Sequence, residues 1–175
     1  FLLLVRSEGF VVFPVFAAAL LLSKQWKYIP LLLFGVAVYS LVGYFVFDDF
    51  FWLINLSPYE MKSGVYGSGP WYHFIKNSWF IFGTPLMVLL AAGLFLYLPK
   101  KINALKEEQA ILKLLIVGCF AVYFAAHSYV WWKGTGGSLG LERVIAGVCP
   151  LAAIMAFSAY NRISNYFERL TVSPL

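Results

Sequence analysis

Charge is what this sequence has least of. Only 12% of its 175 residues are Asp, Glu, Lys or Arg, while 62% are hydrophobic and 19% aromatic. A soluble domain of this length has too little interior to hide that much apolar surface, so a water-soluble fold is excluded. A succession of alternating strands of ~10 residues is also missing. That argues against a membrane barrel and leaves helices, the other way for a backbone in lipid to satisfy its own hydrogen bonds. Cysteine is confined to Cys119 and Cys149, both inside apolar segments. They read as small buried hydrophobes, with no disulfide or metal framework. The phosphate loop G-x-x-x-x-G-K-[ST] is absent. No internal repeat, low-complexity tract or linker divides the chain. The opening "FLLLVRSEG" lies within an apolar run and has neither an initiator Met nor a basic n-region. The expectation is an all-α membrane protein: a single helical bundle over 1–175 that forms the C-terminal part of a longer polytopic chain.

What is present is apolar sequence in five stretches. The spans are expected at about Gly9–Leu22, Tyr28–Phe47, Trp79–Leu98, Ile111–Trp131 and Val144–Tyr160. Most are long enough to cross ~30 Å of hydrocarbon; the first is short. The formal net charge of +5 would suggest nucleic acid in a soluble protein. Here the basic side chains flank spans and are read as orientation signals, so no nucleic-acid partner is expected. Alternating spans place Ser23–Lys27, Pro99–Ala110 and the tail after Tyr160 on one side. With Lys113 that side carries eight Lys and Arg, against five on the other, and is expected to be cytoplasmic. Three polar stretches then share the non-cytoplasmic face: Arg6–Gly9, Asp48–Ser78 and His127–Arg143.

Arg6 and Glu8 stand two residues apart, about 200° around a helix, so they are poor partners for each other. Snorkelling to headgroups accounts for a lone Arg. A Glu beside it at a span start makes both candidates for a site. The stretch Asp48–Ser78 has eight aromatics before Ser78, which argues against disorder and for a segment lying in the membrane interface. A short amphipathic helix is expected over "DFFWLI" and a shaped turn over "YGSGPW". Asp48 and Asp49 read first as a solvated helix end and second as a source of a catalytic carboxylate. Tyr66 and His73 are further binding candidates; an interfacial histidine with satisfied hydrogen bonds is the plainer account of His73.

The third stretch is the richest. His127 lies near the end of the fourth span, with Trp131 four residues on and on the same helical face. Trp131 and Trp132 are expected in an aromatic belt. "KGTGGSLG" then leaves the helix, and Ser138 is placed to cap the next one. Glycine-rich backbone before a helix N-terminus can bind an anion. Lys133 and Arg143 add positive charge, and Arg holds phosphate oxygens two at a time. The plain alternative is a flexible turn with an aromatic anchor. The site reading is a lipid phosphate held at headgroup depth by Arg143, His127 and Lys133.

These residues carry a family resemblance. "RSEGFVVFPVFAAALLL" resembles the R-x-E-G helix opening of GT-C-fold membrane glycosyltransferases. "HSYVWWKGTGGSLGLERVIAGVCP" resembles their later His…Arg…Pro segment, and "YGSGPWYHFIKNSWFIFG" is similar to a stretch of bacterial mannosyltransferase-like members. The resemblance implies a bacterial inner-membrane enzyme, with its active face non-cytoplasmic. Such an enzyme transfers a sugar, mannose-like, from a polyprenyl-phosphate donor to an acceptor. It also implies a catalytic acid in an outer loop upstream of Phe1. Membrane lipids and a larger membrane assembly are the other expected partners. No cofactor is required by the sequence, although a divalent metal is compatible with the chemistry. Two other readings stay open: a non-enzymatic membrane subunit or transporter portion, and a lipid-linked glycan polymerase or ligase.

Overall fold

The computed structural model describes residues 9–55, 67–97, 108–135 and 139–171. Their order is α1 (Gly9–Leu22), a 310 turn (Trp26–Tyr28), α2 (Ile29–Leu32), α3 (Phe34–Phe47), α4 (Trp52–Asn55), α5 (His73–Phe82), α6 (Thr84–Tyr97), α7 (Glu108–Lys133), a second 310 segment (Glu142–Val148) and α8 (Cys149–Thr171). Among the described residues there is no strand. Three helical stretches are long and apolar enough to cross a membrane: Trp26–Phe47, Gln109–Lys133 and Glu142–Arg169. The chain is therefore an integral membrane protein of helical type.

One of the five expected spans changes character. The stretch expected as one helix over Trp79–Leu98 is broken at Gly83, where α5 and α6 meet at a bend of 120°. Gly83 has φ 74° and ψ 156°, a region open almost only to glycine, and its N–H still bonds the Trp79 carbonyl at 2.9 Å. Trp79 consequently belongs to α5, not to the helix that follows. The first stretch is helical from Gly9, the first described residue, to its expected end at Leu22. The interfacial helix expected over "DFFWLI" is a single turn, α4.

The core joins α5, α6, α7 and the Glu142–Thr171 unit through Phe74, Phe82, Leu90, Phe120, Ile145, Val148 and Met155. Small residues set the closest helix approaches. A Cβ built on Gly93 of α6 would stand 2.5 Å from the Met155 carbonyl oxygen of α8. One built on Gly118 of α7 would stand 2.7 Å from Val15 of α1. In lipid, apolar burial gives little drive between helices, so such close backbone packing carries the association. Hydroxyls inside the helices bond their own backbone: Ser78 Oγ donates to the Phe74 carbonyl at 2.7 Å and Ser128 Oγ to that of Phe124 at 2.9 Å.

Candidate functional site

Two of the polar stretches separated in sequence meet at one corner, where α7 ends and the Glu142–Val148 segment begins. Trp131 is its centre. A Cβ on Gly69 would collide with the Trp131 indole, and one on Gly140 would approach it to 2.9 Å. The indole thus lies on bare backbone from both stretches. Its carbonyl accepts from the Gly69 N–H at 3.3 Å and from the Gly134 N–H at 3.2 Å. Trp131, expected in the aromatic belt, is instead turned into the protein; Trp132 beside it is exposed.

His73 completes this tie. Its Nε2 lies 2.9 Å from the Gly140 carbonyl oxygen, and its ring is 5.3 Å from that of Trp131. A carbonyl only accepts, so Nε2 carries the proton. The Asn77 amide lies 3.4 Å from the same nitrogen. Its oxygen, not its nitrogen, therefore belongs on that side. His73 works here as a connector between α5 and the turn, close to the plainer account of it.

His127 sits one turn below Trp131 and is 8% exposed. Its ring lies 4.6 Å from that of Tyr123, whose hydroxyl donates to the Val144 carbonyl at 3.0 Å. Tyr123 thereby fastens α7 to the 310 segment. Gly147 makes room for it, since a Cβ there would stand 3.0 Å from the hydroxyl oxygen. Tyr123 and Trp131 were not among the expected site residues. A tyrosine and a tryptophan in an apolar run carry no local mark of the glycines they will meet.

The cations occupy the outside of the same corner. Lys133 and Arg143 are both exposed. Lys133 Nζ lies 3.9 Å over the Trp132 ring, a cation–π contact. Arg143 is the second residue of the 310 segment, whose N-cap position is held by Leu141 without a side-chain hydrogen bond. Ser138, expected as the cap, lies outside the described residues, as do Arg6, Glu8 and Tyr66. The turn presents a carbonyl to His73. His127 and Arg143 thus share a corner of the bundle, one inside and one outside.

Asp48 and Asp49 belong elsewhere. Asp48 ends α3 in a left-handed conformation, φ 54°, and is exposed. Asp49 Oδ1 accepts from the Phe51 N–H at 2.8 Å, and Oδ2 from the Asn55 amide at 2.9 Å. Both oxygens hold the one-turn helix α4, a capping task of the kind Asp performs at helix starts. Among the described residues, no three His, Cys, Asp or Glu come together as a metal site. No family model, curated protein or solved structure matches this chain.

Proposed function

We propose that this chain is the lipid-phosphate-handling part of a membrane glycosyltransferase that takes a sugar, mannose-like, from a polyprenyl-phosphate donor. The observation that supports the reading is the corner itself. Trp131, His73 and Tyr123 tie α5, α7 and the 310 segment together at the end of two membrane-length helices, and Lys133 and Arg143 stand exposed on either side of that turn. Two cations on one held turn at a membrane rim suit a lipid phosphate.

In the proposed reaction an acceptor hydroxyl attacks the anomeric carbon, and the bond from that carbon to the phosphate oxygen breaks. The electron pair stays on the departing phosphate, where Arg143 and Lys133 stabilise the growing negative charge. A carboxylate takes the hydroxyl proton. His73 keeps the turn in place, and His127 packs against Tyr123 below it. The proposed active face is the non-cytoplasmic side of a bacterial inner membrane.

The test uses the full-length protein in membranes with a radiolabelled polyprenyl-phosphate sugar. Arg143→Ala with Lys133→Ala should lower kcat/KM for the donor at least tenfold. Unchanged transfer removes the proposed role. A second reading, a membrane subunit without chemistry of its own, is favoured by one feature: α3 packs chiefly on its sequence neighbours α2 and α4 and leaves a long apolar surface for a partner. Donor binding without turnover in the intact assembly would support it.

A further inference from the structure

α5 has ten residues, about 15 Å of helix and about half the depth of a hydrocarbon core. It has two faces. Phe74, Ser78 and Phe82 are buried against the bundle. Ile75, Lys76, Trp79 and Phe80 are exposed, Phe80 by 82%. The helix has a definite direction along α7: His73 lies against Trp131, Phe74 against Phe124 and Phe82 against Phe120. It therefore runs down the flank of a membrane-length helix, away from the turn and opposite to the course of α7. Its exposed side chains change along the way. Trp71, Tyr72, Ile75 and Lys76 come first, then Trp79 and Phe80, and at Gly83 the chain bends by 120°. With Trp71, Tyr72 and the lysine nearer the turn and Phe80 farthest from it, the order matches passage from headgroups into hydrocarbon. The exposed face of α7 shows the same order from the same end, with Trp132 and Tyr129 near the turn and Val122 below.

We propose that α5 is a re-entrant half-helix, inserted into the leaflet that surrounds the α7–α8 turn. Phospholipid is the occupant of its exposed face. Acyl chains cover Ile75, Trp79 and Phe80, and the Lys76 ammonium reaches the headgroup phosphates along its own alkyl stem. Two features commit this face to lipid: it lies on a helix whose opposite face packs along a helix of membrane length, and it carries a lysine and aromatics nearer the turn and Phe80 farthest from it. The assignment goes beyond the glycosyltransferase reading and does not depend on it.

The test is a depth measurement on the full chain in phosphatidylcholine–phosphatidylglycerol vesicles. Nitroxide labels are placed at Lys76→Cys and Phe80→Cys in a background with Cys119→Ala and Cys149→Ala. Oxygen and a water-soluble nickel chelate serve as relaxants. The Phe80 label should lie about 6 Å deeper than the Lys76 label, four residues at the helical rise. Equal depths would mean a helix lying in the membrane plane and would overturn the proposal. So would access of the nickel chelate to the Phe80 label, or exclusion of both relaxants by a covering protein. Photo-crosslinking from p-benzoylphenylalanine at position 80, in the otherwise native chain, gives an independent reading. Crosslinks to phospholipid are expected, and crosslinks to another polypeptide would overturn the assignment.

Discussion

α3 and α8 are both apolar through most of their membrane-length stretches, yet the protein covers one whole face of α8 and little of α3. α3 leaves Phe34, Leu41, Tyr44, Phe45, Val46 and Phe47 exposed. Its buried positions are Gly35, Ser40 and Gly43. The Trp52 indole folds back against Gly43 and donates to the Tyr39 carbonyl at 3.1 Å. α8 buries Ala152, Met155, Ala156 and Ala159 against the bundle, where Gly93 lets α6 approach its backbone. The apolar content of a membrane helix therefore does not say whether it faces lipid or protein. Small side chains matched across two helices decide that, because large apolar groups do about equally well in either solvent.

The sharpest way to break the contrast is Gly93→Leu. The added side chain meets the Met155 main-chain carbonyl, which cannot swing aside as a side chain would. A loss of about 3 kcal/mol is expected, read as the SDS unfolding midpoint in mixed micelles. Trp131→Ala should cost about 2–3 kcal/mol by the same measure, since it empties the glycine-lined seat at the corner; Trp131→Phe should recover part of the loss. Gly83→Ala puts a Cβ on a residue with φ 74° and should cost about 1–2 kcal/mol, although nothing lies within 4 Å of the new atom. The smallest effect belongs to α3. Phe45→Ala, at a side chain 77% exposed, should change stability by less than about 0.5 kcal/mol in micelles. A loss above about 1 kcal/mol there would mean that another protein surface covers α3.

Some of this was legible from local sequence. The helical class follows from apolar run length, and α1 ends at Leu22, as expected for it. Asp49 as a helix end was also readable, because Asp beside a short helical stretch caps it through its own carboxylate. The break within Trp79–Leu98 was not. A glycine inside an apolar run is tolerated in a membrane helix, and nothing next to Gly83 announces a positive φ. Trp131 was misplaced for a related reason. A tryptophan at a span end usually faces the headgroups, and what turned this one inward is Gly69, 62 residues away in the chain, with Gly140.

The amino-acid sequence alone determined that the backbone must be helical and enter a membrane, because so apolar a chain needs lipid around it and, without alternating strands to close a barrel, only helices satisfy its polar main chain there. The tertiary structure decided which helices face one another, where the chain doubles back at Gly83, and that His73, Trp131 and Tyr123 hold one corner together. Those outcomes depend on contacts between residues far apart in the chain, and only packing brings such residues within reach.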